Sequence, residues 1–206
     1  RAFTTRGPQM SKHLVLVVGA GRMGQRIAAL LGQDGRYSAL ITSPDSDALA
    51  QAARSGLATT TTRNAQFREE LSNRLAQTRA VILTDESISS VDLVRLAYEH
   101  GTHYLDILES SDSAKAVAAL LDSLPAQPKL GFAPGCGLAP GYVTGLAAEA
   151  LDSLGPQAEV TVFVGVLPAE PKNRLGYANI WSIDGLIGEY TTPCLAIQAG
   201  ALVALP

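Results

Sequence analysis

The stretch "HLVLVVGAGRMGQRIAALL", residues His13 to Leu31, decides how the rest of the chain is read. Its first six residues form a continuous apolar run of strand length, the pattern of a strand buried on both faces. Gly19, Gly21 and Gly24 then follow in the spacing G-x-G-x-x-G. Beyond them Met23, Ile27, Leu30 and Leu31 mark one helical face, with Gly35 expected to close the helix. In such a setting the first glycine permits a tight turn, and the second lets a pyrophosphate approach the backbone. The third lets helix and strand pack closely. The helix N-terminus adds free N–H groups and the positive end of a dipole. A plainer alternative is that the glycines serve only the turn.

Working outward, the alternation of strand and helix patterns continues and favours the first reading. Strands are expected at 37–42, at "LATTTT" (57–62), at 80–84, at "HYLDIL" (103–108) and at 129–134. Helices are expected over 43–56, 64–77, 88–100 and 111–124. Strands separated by helices imply parallel pairing through right-handed crossovers. The pattern predicts an α/β protein: a Rossmann-type doubly wound parallel sheet over residues 13–140, followed by the start of a second α/β (α+β) catalytic domain over 141–206. In that second part "GCGLAPG" (135–141) opens a helix to about Leu154, and "AEVTVFVGVLP" (158–168) alternates as a half-exposed strand. Next come "YANIWSI" (177–183), a short helix over 184–190 and "CLAIQAG" (194–200). The closing "ALVALP" is read as carrying no element that would complete a domain, so the second domain is expected to be truncated.

Composition narrows the function. A chain of 206 residues can bury about 70 per cent of its unfolded surface without disulfides or metals. The net charge of −3 offers no basic field for nucleic acid or anionic lipid, so neither is an expected partner. Cys136 and Cys194 lack any zinc or redox spacing, which points to a reducing, cytoplasmic setting without a metal. No apolar run reaches the roughly 18 residues that span a bilayer. Residues 1–12 are read as a leader or cloning-derived segment before or around Met10, with the tail of an organelle transit peptide as a minor alternative.

The site is then read from the strand ends, because ligands of open parallel sheets lie beyond them. Gly19, Gly21, Arg22, Met23 and Gly24 form the expected cofactor loop. Ser43 stands at the end of the second strand, where an acid would bind the adenosine ribose of NAD. A serine there leaves room for the 2′-phosphate of NADP, whereas Asp45 and Asp47 nearby would repel it, so both cofactors stay open. Asp45 also suits a helix cap. Thr84 and Asp85 complete the cofactor contacts. Asp106, inside an apolar strand end, is the best candidate for a catalytic acid or base, with Glu109 as a partner for a cationic amine substrate. Cys136 lies in a glycine loop where a helix start would stabilise a thiolate, although a packing role fits it as well. His13, His100 and His103 flank elements, His100 suiting a helix C-terminus.

Four pieces of the chain resemble the saccharopine dehydrogenase family, especially its lysine 6-dehydrogenase-like branch. They are "VLVVGAGRMG", "HYLDI", "CGLAPG" (136–141) and the run "VGVLPAEPKNRLGYANIWSIDGLIGEYTTPCLAIQAG" (164–200). The resemblance implies NAD(P)-linked hydride transfer at a carbon bearing nitrogen, on lysine, saccharopine or a related amino acid. It further implies a homodimer and a substrate-side role for Tyr177 beside Glu109 and Cys136. The family pattern often has an acid at the Ser43 position and an Asp where this chain has Gly135. A different class of protein, a nucleotide-sensing module that binds NAD(H) without catalysis, is the second expectation.

Overall fold

The computed structural model describes residues 12–60, 67–155, 157–165, 168–170, 174, 176 and 183–205. Its contacts part the chain into two compact units between Ala158 and Glu159. The expectation placed this boundary after residue 140.

The first unit is built on five parallel strands: β1 (His13–Val18), β2 (Tyr37–Thr42), β3 (Ala80–Leu83), β4 (His103–Asp106) and β5 (Phe132–Ala133). Their order across the sheet is β2-β1-β3-β4-β5. Helices α1 (Arg22–Gln33), α2 (Ser46–Arg54), α3 (Phe67–Leu75), α4 (Ser90–His100), α5 (Ser111–Ser123) and α6 (Tyr142–Leu154) complete it. Because strand side chains alternate, β1 feeds two cores. Leu16 and Val18 join Val81, Leu83 and Tyr104 against Leu71, Leu75, Leu93, Val94 and Val117 of α3, α4 and α5. Val17 and Ile41 pack on the other side with Ala28 of α1 and with Leu49 and Ala52 of α2. A strand buried on both faces has to be apolar throughout, which is why "LVLVV" carries no polar residue.

Local signals set the helix ends. Asp45 caps α2 by accepting from the N–H groups of Asp47 and Ala48, Ser89 caps α4 through Asp92 N–H, and Ser110 caps α5 through Ser113 N–H.

Several expectations need correction. The buried face of α1 is Gly24 and Ala28, with Ile27 and Leu31 partly buried against the core, whereas Met23 and Leu30 are exposed. The close approach of Gly24 to β1 turns the helix so that this face points inward. The helix ends at Gln33 with Asp34 as its C-cap, so Gly35 follows immediately beyond the cap. The stretch expected as a strand at 57–62 gives a single parallel bridge, Ile41 to Thr59, with residues 61–66 outside the described ones. Two bonds make that bridge: Ala58 O accepts from Ile41 N–H and Ile41 O accepts from Thr60 N–H. Helix α6 starts at Tyr142, after the glycine loop rather than within it.

Of the stretch expected as a strand at 158–168, residues 158–165 are not a strand, and 166–167 lie outside the described residues. Residues 177–182, and with them Tyr177, also lie outside; Ile183 opens helix α7 (Ile183–Thr191) instead of ending a strand. The "ALVAL" read as structureless is β7 (Ala201–Leu205), paired antiparallel with β6 (Cys194–Gln198). The two-residue turn between them, Ala199 and Gly200, has φ of 50° and 81°, the doubly positive form that matches the twist of a hairpin.

Candidate functional site

The strand order reverses at β1: the chain crosses to β2 on one side and then to β3 on the other. A crevice opens outside the carboxyl ends of the strands at such a point. The three glycines sit there. Gly19 has φ of 121°, a region closed to residues with a Cβ. Its N–H donates to Thr42 O at 2.8 Å, tying the loop to the end of β2. A Cβ on Gly19 would strike the Thr84 hydroxyl and come within 3.0 Å of Asp85 Cβ. A Cβ on Gly24 would strike Gly19 O and lie 2.9 Å from Thr84 Oγ1. At Gly21, by contrast, a Cβ would meet nothing within 4 Å. The first and third glycines are needed by the fold; the middle one faces open space at the N-cap of α1. No side chain caps that helix, and Arg22 and Met23 in its first turn are exposed. Open backbone, uncapped N–H groups and the dipole end are what a pyrophosphate requires.

The neighbouring strand ends hold the other expected cofactor residues. Ser43, buried after β2, accepts the N–H of Asp45 at 3.1 Å. Thr84 continues β3 and donates to Val18 O at 3.2 Å and Gly19 O at 3.3 Å, so its hydroxyl braces the loop. Asp85 Oδ1 accepts from Ser87 N–H at 3.0 Å and from the Ser87 hydroxyl at 2.6 Å, closing its own turn.

Asp106 ends β4 and is 3 % exposed. Its Oδ1 accepts from Gly135 N–H at 2.8 Å and Leu108 N–H at 3.1 Å, and its Oδ2 accepts the Tyr104 phenol at 2.6 Å. The carbonyl of Asp106 also accepts Cys136 N–H at 2.7 Å. This carboxylate is thus the anchor of the 134–141 loop. Burial, reinforced by the hydrogen bond to Asp106, pushes the Tyr104 phenol well above its ordinary range. The loop itself is tight. A Cβ on Gly141, at φ 125°, would collide with Gly137 O and lie 2.7 Å from Gly135 O.

Cys136 does not have the surroundings expected of it. It precedes α6 by a full loop, its thiol donates to Ala133 O at 3.4 Å, and burial together with the charge of Asp106 raises its pKa. A raised thiol is a weaker nucleophile at neutral pH. Glu109 is exposed just ahead of the cap of α5. The histidines have local partners. His100 Nε2 lies 2.7 Å from Ser72 Oγ, His103 Nδ1 accepts Gly131 N–H at 2.9 Å, and the His13 ring lies against Tyr37. Among the described residues no cluster suits a metal ion, and no helix is long and apolar enough to cross a membrane. The sequence reading missed Tyr104 and Gly135 as members of the Asp106 network. Tyr104 stands two residues before Asp106, on the same face of β4, and that spacing was the available signal.

A buried parallel sheet, a glycine loop open at its middle position and an uncapped helix at the reversal of strand order define a Rossmann-type dinucleotide-binding domain. The family model described as "Saccharopine dehydrogenase NADP binding domain" matches residues 15–127, and the chain belongs to that family. The family is that of an NADP-binding domain, which gives the cofactor class as NAD(P). Apo saccharopine dehydrogenase (L-Glu forming) from Saccharomyces cerevisiae is similar at 19 % identity and a TM-score of 0.66, over 94 % of this chain and 44 % of that one. The present chain therefore spans less than half the length of the yeast enzyme. Scyllo-inositol dehydrogenase from Lactobacillus casei, with bound NAD(H) and scyllo-inositol, matches at 16 % identity and a TM-score of 0.51 over 70 % and 42 % of the two chains. Myo-inositol 2-dehydrogenase from Lactobacillus plantarum matches at 17 % and 0.51 over 69 % and 42 %. At these identities the likenesses establish the fold.

Proposed function

We propose that this chain is the cofactor-binding part of an NAD(P)-dependent oxidoreductase that moves hydride to or from the nitrogen-bearing carbon of an amino acid or amino-acid derivative, of lysine or saccharopine type. The observation that carries the reading is the open Cβ position at Gly21, between two glycines that the fold itself needs. Family membership supports the cofactor class. The resemblance of the 164–200 run to the lysine 6-dehydrogenase-like branch supports an amine substrate. When bound, the nicotinamide supplies the hydride acceptor or donor; this chain holds its phosphates at the Gly19–Gly24 loop and α1. Glu109, Cys136 and Tyr177 are proposed on the substrate side. A cytoplasmic homodimer is the proposed setting.

The second reading, an NAD(H)-sensing module without catalysis, draws on one observation: the best acid–base candidate, Asp106, already accepts three hydrogen bonds within the fold. The test is a turnover screen with lysine, saccharopine and related amino acids, reading nicotinamide absorbance, on a chain extended to the length of the yeast enzyme. Reduction of NAD(P) by one of them supports the dehydrogenase. Cofactor binding with no turnover on any of them favours the sensor.

A further inference from the structure

We propose that Asp106 is a positioning residue, which pins the 134–141 loop to the end of β4 and thereby shapes the pocket for the nicotinamide half of the cofactor. The inference rests on the cofactor reading above. It follows from where the two halves of a dinucleotide must lie. With the phosphates at the loop after β1 and the adenosine ribose at the end of β2, beside Ser43, the other nucleotide extends over the ends of β3 and β4. The segment fixed at the end of β4 is the 134–141 loop. Its attachment runs through Asp106: Gly135 N–H to Oδ1 at 2.8 Å and Cys136 N–H to the carbonyl at 2.7 Å. Leu108 N–H on Oδ1 and the Tyr104 phenol on Oδ2 hold the carboxylate itself in place. A buried carboxylate that accepts three hydrogen bonds, two on Oδ1 and one on Oδ2, holds its donors in fixed directions.

The geometry separates two substitutions. Asp106→Asn keeps an oxygen for the Gly135 and Leu108 N–H groups and turns its NH₂ toward the Tyr104 oxygen, so the loop stays attached. Asp106→Ala removes every side-chain attachment. The test is calorimetric titration of wild type and both variants with two ligands. One is whichever of NADH and NADPH the wild type binds more tightly. The other is the matching ADP-ribose or 2′-phospho-ADP-ribose, which lacks the nicotinamide. Expected is a loss of about tenfold for the full cofactor in Asp106→Ala, less than about twofold for the ADP-ribose ligand, and restoration of both by Asp106→Asn. Equal losses for the two ligands, no loss at all, or an Asn variant as weak as the Ala variant would overturn the proposal. Hydrogen exchange on the wild type tests it without any variant: the amides of Gly135 and Cys136 are expected to slow with the full cofactor and not with its ADP-ribose part. Unchanged exchange, or equal slowing by both ligands, overturns it. A wild type that binds neither ligand would sink the cofactor reading instead.

Discussion

Gly21, the N-cap of α1, and Gly24, in its first turn, stand three residues apart, yet a methyl group on each meets different surroundings. On Gly24 it would run into Gly19 O; on Gly21 it would enter open space. Gly24→Ala is therefore expected to lower stability by about 1–3 kcal/mol through overpacking and to weaken NAD(P)H binding as well. Gly21→Ala is expected to leave stability within about 1 kcal/mol, while cofactor affinity falls at least about tenfold. Denaturant melts and fluorescence titrations of the two variants check both halves of this contrast. Cys136 supplies a second residue-scale test. With its thiol pKa raised, less thiolate is present at pH 8, so in a Cys194→Ser background it is expected to react with a disulfide reagent more slowly than glutathione does. Its rate should still be climbing above pH 9. A rate above that of glutathione at pH 8 would contradict the assignment. The roles of the glycines could be read from the sequence because their spacing reports a backbone requirement. The role of Asp106 was legible only in its local part, the contacts with Tyr104 and Leu108 two residues away, because the donor Gly135 comes from a loop whose placement no local pattern encodes.

At the scale of elements, the long helices and the apolar strands β1 and β3 were legible because each carries a period or an uninterrupted apolar run. "LATTTT" is less regular than its β-branched composition suggests: among its described residues, 57–60, it makes one parallel bridge, Thr59 to Ile41 of the edge strand β2. "ALVAL" misled in the opposite direction: it pairs because the turn at Ala199 and Gly200 delivers it to β6. Caps are the elements' most local feature. Removing the Asp45 carboxylate by Asp45→Ala is expected to cost about 1 kcal/mol, since it accepts two N–H groups of α2. Urea denaturation checks this value, and an unchanged midpoint would count against the cap. Leu83→Ala, fully buried on β3, is expected to cost about 2–5 kcal/mol by the same assay.

For the whole molecule, every described residue of the proposed site, from Gly19 to Gly141, lies before the division at Ala158. A chain ending at Ala158 is accordingly expected to bind the cofactor within about twofold of the affinity of residues 1–206. The measurement that meets the central claim most directly is calorimetric titration of this chain with NAD, NADH, NADP and NADPH, alongside Gly21→Ala. Saturable binding of an NAD or NADP pair by the wild type, lost in a Gly21→Ala variant that melts at the same temperature, is the expected result. Absence of binding by all four, or binding untouched by the substitution, would contradict a working cofactor site at the glycine loop.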